Sequence, residues 1–420
     1  MDKLKDNVSS KIALNSCDHF QLLIDYKIRK EKGTGNTSQL LIELDGKVSL
    51  DELRRYLESN VHFVSLANSK LSRPIFGTET YILNKKGGVE VNELILEKLD
   101  FAEVFGNDDV APNAVKTTLL QLGDKSKILF QFNHIFIDNN GVKNLLRSFN
   151  GEQYDFTRRK KDSQPSFFQR LKSTISLSRR MMSKWYESKA FIHTESKQEI
   201  DKGYIFHRFS KEETALIKGK VMSSHRVKSI SSLLLAACCL SMKQLLDQRD
   251  EEPKELVFQQ PFDLTPKREK PYILGNRFSF IHYRIPPKEL TNLMDLQDEM
   301  NRQTIQQIRE KTPHEFIDLQ SVMRRLNLRL HLWMISLPAR GKMTSFAYSY
   351  VDETKVIEEF AGLKIENIIN IPPVMRRPPI TIGAAYYDGQ LLVQLHYDKN
   401  ALDVEEAERF LTNMNSQLLA

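Results

Sequence analysis

The sequence predicts an α/β protein of two subdomains joined by a basic bridge, and three observations carry that prediction. Strand-like and helix-like runs alternate along the whole chain. At 420 residues the chain has room for two or three domains of roughly 150 residues each. The stretch 157–190 differs from the rest: it holds ten Lys and Arg against two acids, while the whole chain carries a formal net charge of +7. The basicity is therefore local. The expected division is one subdomain over 1–156, a bridge over 157–200 and a second subdomain over 201–420.

Taken in order, 40–44 (LLIEL) reads as a strand that ends at the Asp45-Gly46 turn signal. A helix is expected over 49–59, with Ser49 as N-cap and Leu53, Tyr56 and Leu57 on its apolar face. The run 127–137 alternates Ile128, Phe130 and Phe132 with more polar residues and predicts a strand. The chain returns to helix over 141–149. In the second part, 211–222 and 231–246 read as helices, and 256–263 and 277–285 as strands, the latter stopped by Pro286-Pro287. A helical stretch follows, broken near Pro313. Strands are expected at 345–351 and through 380–398, where Asp388-Gly389 signals a hairpin. Tyr386, Tyr387 and Tyr397 have the spacing of hairpin packing. The chain closes with a helix over 403–418, with Ala407, Phe410, Leu411 and Met414 on one face.

Composition excludes several classes. Hydrophobic residues at 40% and charged residues at 27% suit a globular chain with a sizeable core, not a disordered or fibrous one. The three cysteines are an adjacent pair, Cys238 and Cys239, and the distant Cys17; no CxxC occurs, so neither a disulfide scaffold nor a zinc site is expected. The longest apolar run, 233–240, falls short of the ~20 residues of a membrane span. Residues 1–6 lack the apolar segment of a secretion signal. A cytoplasmic protein is expected, with contact to a membrane surface left open.

The stretch with chemical potential is 130–146, FQFNHIFIDNNGVKNLL. His134 and Asp138 stand at the end of the expected strand, before a turn and a helix. A neutral imidazole there can accept a proton near pH 7, and a carboxylate four residues on can hold local geometry. Structurally, the same residues could simply close a strand with an Asx turn.

This segment resembles the HHxxxDG motif of the chloramphenicol acetyltransferase-like superfamily, which includes condensation domains of nonribosomal peptide synthesis and wax ester synthase/diacylglycerol acyltransferases. The second motif His falls on His134, the motif Asp on Asp138, and a further Gly on Gly141. Other segments are similar in order: the opening LLIELDGKVSLDELRRYLESN; QQPFDLTPKREKPYILGNRFSFIHYRIPP, where a P-x-x-x-R turn leads to Leu274-Gly275-Asn276-Arg277; and the hairpin PPITIGAAYYDGQLLVQLHYD. The resemblance covers nearly the whole chain. It implies two chloramphenicol acetyltransferase-like subdomains in a V-shaped pseudo-dimer with an interfacial channel. It also implies an acyltransferase in which His134 is the general base, Asp138 supports the motif, and an acceptor hydroxyl or amine attacks an acyl thioester directly.

The sequence departs from the motif in four places. Asn133 replaces the first His. Asn139 replaces the motif Gly, where it would have to serve as the next-best residue for a left-handed turn. The region 62–68, HFVSLAN, lacks the Arg that often pairs with the motif Asp, with Arg73 or a distant residue as the candidate substitute. The SNV motif of the wax ester synthases aligns with Ser349-Tyr350-Val351, which leaves Ser349 as an oxyanion donor or a plain strand serine. Asn276 and Arg277 have two readings, support of the site or contact with substrate.

The implied donor is an acyl-CoA or an acyl-carrier protein acting in trans, with no metal or redox cofactor, on a monomeric enzyme. In the bridge, Phe168, Leu171, Ile175, Met182 and Trp185 approximate one helical face among Arg and Lys. That pattern suits an anionic membrane surface, an acidic carrier protein or coenzyme A phosphates, or a linker helix docked on the body. Nucleic-acid binding has no module to support it. The alternative to an enzyme is a condensation-like domain that has lost catalysis and serves as a docking module. An open channel with His134 facing it would favour the enzyme.

Overall fold

The computed structural model describes residues 9–72, 79–84, 87–157, 166–182, 190–192, 196, 198–223, 229–251, 254–264, 271–336 and 344–420. Arg73, the basic residues at 158–161, Lys184, Trp185, Lys189, the turn at 265–270 and the N-terminal residues 1–6 lie outside these, as do the side chains of Arg180 and Met182.

The first half runs β1 (Ser9–Ala13), α1 (Ser16–Lys30), β2 (Thr37–Leu44), α2 (Leu50–Glu58), α3 (Val61–Ala67), β3 (Lys70–Ser72), β4 (Thr80–Asn84), β5 (Val91–Leu96), α4 (Phe101–Gly106), β6 (Val115–Leu122), β7 (Lys125–Asn133), α5 (Asn139–Phe149), β8 (Asp155–Thr157) and α6 (Phe167–Met182). The second half runs β9 (Lys202–Arg208), α7 (Lys211–Ser223), α8 (Ile230–Gln248), β10 (Leu256–Asp263), β11 (Tyr272–Leu274), β12 (Phe278–Ile285), α9 (Leu293–Arg309), α10 (Thr312–Met323), α11 (Leu328–Ser336), β13 (Ala347–Val351), β14 (Glu359–Phe360), β15 (Leu363–Ile371), β16 (Ile380–Tyr387), β17 (Gln390–Asp398) and α12 (Val404–Leu419).

Local sequence explains many of these limits. Ser49 and Glu52 form a capping box that starts α2, and Asp403 and Glu406 do the same for α12. Asp388 and Gly389, with φ of 49° and 80°, make the two-residue turn of the β16–β17 hairpin, which pairs Tyr387 with Gln390. The break expected near Pro313 falls at Lys311, whose φ is 58°; Pro313 then sits in the first turn of α10, where its missing N–H costs nothing.

Two six-stranded sheets carry the molecule, ordered β14-β15-β2-β7-β6-β5 and β12-β10-β13-β16-β17-β9. The division at residue 201 does not describe the first sheet. β15 crosses back from the second half and pairs antiparallel with β2, from Ile365–Leu44 to Ile371–Gln39. The chain then returns through Pro372 and Pro373 to β16 in the second sheet. The second core forms around α8, which is apolar on all sides and therefore interior. Among the described residues α8 is the helix long and apolar enough to cross a membrane, and 78% of its most apolar 18-residue stretch is buried in the protein.

The bridge helix α6 corrects one expectation. Phe168 and Ile175 do not face the body; they are 80% and 44% exposed. Leu177 is the residue that docks, packed with Phe20 of α1, Phe316 of α10 and Leu332 of α11. Polar ties also join the halves: the buried Lys202 Nζ lies 2.5 Å from Asp108 Oδ1, and Arg324 donates to the Leu14 carbonyl at 3.1 Å.

Candidate active site

The expected strand 127–137 ends early, at Asn133, and the reason is Asn133 itself. Its carbonyl accepts from the Phe136 N–H at 2.9 Å and its side-chain oxygen from the Ile135 N–H at 3.1 Å. This Asx turn peels the chain off the sheet directly before His134. Asp138 then caps α5 by accepting from the Gly141 N–H at 2.9 Å. The helix begins at Asn139, earlier than expected, and Asn139 is not among the residues with positive φ. The left-handed turn anticipated there does not occur, so an Asn costs nothing at this position.

The loop 134–138 is clamped from the second half of the chain. Asn276 donates from Nδ2 to the carbonyls of His134 and Ile135, at 3.1 and 2.9 Å. The Gly275 N–H donates to Phe136 at 2.6 Å, and Tyr81 Oη donates to Ile135 at 2.6 Å. Asn276 is itself fixed by Asp18 Oδ1, which accepts from its backbone and side chain at 2.8 and 3.0 Å. Asp18 belongs to the capping box that opens α1 with Asn15, and Asn15 donates to the Asn276 carbonyl at 3.1 Å. Burial pushes the Asp18 carboxyl up to about 6 against these bonds.

Asp138 receives the Arg277 backbone N–H at 3.1 Å on its second oxygen. Main-chain donors from both halves thus occupy its two oxygens. Gly141 is required here for space: a Cβ would lie 2.3 Å from the Ile273 carbonyl.

His134 lines a small cavity of about 40 Å³, partly open to solvent. The cavity lies between the sheets. β2 and the end of β15 supply one wall; Ser349 of β13, Gly383 and Ala385 of β16, and Gln394 of β17 supply the other. Among the described residues the buried His134 Nδ1 has no geometric hydrogen-bond partner, and His134 lines the cavity. Burial lowers the His134 pKa, outweighing its own carbonyl, Asp138 and Asn276; it raises that of Asp138, against the two N–H donors. The imidazole is therefore neutral at pH 7 and able to take a proton. The Ser349 hydroxyl has no partner among the described residues and lines the same cavity. Cys17 is no nucleophile: it donates to the Phe278 carbonyl at 3.2 Å, and burial pushes its thiol up to about 12.

With this geometry in view, the comparisons are informative. The trichothecene 15-O-acetyltransferase of Fusarium sporotrichioides superposes with a TM-score of 0.72 at 11% identity, over 100% of this chain and 96% of the other. The first condensation domain of the calcium-dependent antibiotic synthetase gives 0.67 at 11% identity, over 98% and 96%. Polyketide synthase associated protein 5 from Mycobacterium tuberculosis gives 0.62 at 15%, over 91% and 93%. This chain has the chloramphenicol acetyltransferase-like condensation fold. By sequence, no family model and no curated protein matches it.

Sequence reasoning placed His134, Asp138 and Ser349, and the structure brings His134 and Ser349 to one cavity. Asn276 does not touch that cavity among its described lining; it is 2% exposed and its amide is spent on the loop, so its place is support rather than substrate contact. Arg277 contributes its backbone N–H to Asp138. Asp18, Tyr81, Gly383 and Gln394 escaped the sequence reading. The Asn15–Asp18 capping box was a legible signal for Asp18; nothing local marks the others.

Proposed function

We propose that this protein is an acyltransferase that moves an acyl group from a thioester to a nucleophilic acceptor, with His134 as general base. The observation that carries the reading is a neutral imidazole, its Nδ1 unpartnered, on a clamped loop that lines the intersheet cavity. Its Nε2 takes the acceptor proton as the acceptor attacks the acyl carbon, an effect worth ~10²–10⁴ in rate. The Ser349 hydroxyl on the facing wall donates to the oxyanion. Asp138 fixes the loop and is not itself a reacting group. The donor is an acyl-CoA or an acyl-carrier protein; the likeness to domains of carrier-dependent synthetases supports the second source. The reaction needs no metal or redox cofactor, since the thioester is already activated. A cytoplasmic monomer, with a membrane contact through α6, completes the reading.

That His134 lines a cavity supports the enzyme over a docking module. Thiol release from acetyl- to palmitoyl-CoA and from acyl-carrier protein, read with DTNB over a panel of alcohols and amines, tests it. Acceptor-dependent release that His134→Ala abolishes is expected. Release that survives the substitution removes His134 as the base, and silence with every donor returns the docking module.

A further inference from the structure

We propose that α6 and α11 together form a docking face for an anionic lipid membrane. The inference takes up the membrane contact of the reading above, extends it to a second helix, and is tested by binding alone.

The two helices share one layer. Leu177 of α6 and Leu332 of α11 are buried in the same cluster, with Phe20 of α1 and Phe316 of α10. They therefore lie side by side, each with its opposite face outward. On α6 the outward residues Phe168, Lys172, Ile175 and Arg179 have the spacing of one helical stripe. On α11 they are Arg329, Leu330, Trp333 and Met334.

Exposure singles this face out. Phe167, Phe168 and Trp333 are 43%, 80% and 57% exposed, and among the described residues no other Phe or Trp is exposed. Ile175, Leu330 and Met334 join them at 40% to 44%. Single apolar side chains on a surface mean little, but an aromatic-rich patch marks a place of interaction. Beneath it, α1 sends Phe20 into the shared cluster and Asp18 to the clamp on the His134 loop, so the face stands one helix away from the candidate site.

Charge names the partner. Neither α6 nor α11 contains an Asp or a Glu. Lys172, Arg179 and Arg329 stand between the apolar residues, and Arg325 lies over the Phe167 ring at 4.9 Å. The adjoining α10 has Glu315 and Asp318, against Lys311 before it and Arg324 and Arg325 after it. The face is therefore positive. A second copy of the chain would bring like charges together, and the core of a protein interface is depleted in charge. A bilayer suits the interleaving. Rings and aliphatic side chains enter the headgroup boundary, while long Lys and Arg side chains reach the lipid phosphates.

The test is flotation of the full chain with vesicles of phosphatidylcholine alone and of phosphatidylcholine mixed with phosphatidylserine. Binding to the anionic vesicles is expected to exceed that to neutral ones by at least about tenfold and to fall about thirtyfold in Lys172→Gln/Arg179→Gln. Phe168→Ser/Trp333→Ser should weaken it by more than about tenfold. Ile95→Ser, at an exposed residue of β5, should leave it unchanged. All these side chains are exposed, so circular dichroism of the variants should match the wild type. No flotation, equal flotation with neutral vesicles, or flotation that both double variants leave intact overturns the proposal. So does a dimer in sedimentation velocity that Phe168→Ser/Trp333→Ser dissociates while vesicles go unbound, which gives the face to a second copy. His134→Ala is expected to float as the wild type does, which keeps the two readings apart. Transfer without flotation sinks this proposal alone, and flotation without transfer from any donor sinks the acyltransferase alone.

Discussion

The two walls of the intersheet cavity are built in opposite ways. On the His134 side, the loop 134–138 is held by Asn276, Gly275, Tyr81 and the Asp138 cap, so its backbone has little freedom left. On the β13–β16–β17 side, small residues leave space, and Ser349 carries a hydroxyl with no partner among the described residues. One wall is preorganised and the other is vacant. A group that acts on a proton gains from being held in place, and a hydroxyl left unspent on the facing wall is free to meet a ligand. His396 sharpens the contrast: both its nitrogens are engaged, Nδ1 with the Pro372 carbonyl and Nε2 with Gln394.

Substitutions on the rigid wall should therefore cost most. His134→Ala is expected to lower turnover by ~10²–10⁴, measured on a variant whose thermal midpoint confirms that it is folded. Asn276→Ala removes the donor shared by two loop carbonyls and strands Asp18. A loss of about 2–4 kcal/mol in urea unfolding is expected, with turnover falling further than acceptor KM rises.

Asp18 makes the clamp pH-dependent. Its carboxyl titrates at about 6 when folded against 3.8 for the free group, so the folded state holds the proton more tightly. That contribution is fully present below pH 3.8 and is lost as pH rises through 6, at most roughly 3 kcal/mol. Across that window the urea midpoint of the wild type should fall relative to that of Asp18→Asn; parallel profiles would show that Asp18 does not titrate there.

Gly141→Ala forces a Cβ to within 2.3 Å of the Ile273 carbonyl and should cost about 1–3 kcal/mol. On the vacant wall, Gly383→Ala meets only ordinary contacts, so stability should stay within about 0.5 kcal/mol. A large destabilisation there, or none at Gly141, would erase the distinction between the walls.

The sequence reached one wall far better than the other. Alternation and caps placed β7, α2, the β16–β17 hairpin and α12, and the spacing of His134 and Asp138 at a strand end marked the candidate site. The early end of β7 was not anticipated, because the apolar run through Ile137 outweighs one Asn in any periodicity count. Ser349 came only through a resemblance to a longer motif. Gly383 and Gln394 have no local signature: a glycine and a glutamine in an apolar strand read as packing.

What the sequence determined by itself is whatever forms between near neighbours. Capping boxes, the Asp388-Gly389 turn, the Asx turn at Asn133 and the Asp138 cap all close within a few residues, so their geometry is written locally. Tertiary structure alone decided that Asn276 holds the His134 loop across 142 residues, that β15 completes the first sheet, and that Ser349 faces the same space as His134. Those contacts depend on how two sheets pack, and side-chain period reports which face of a strand is buried but not what it is buried against.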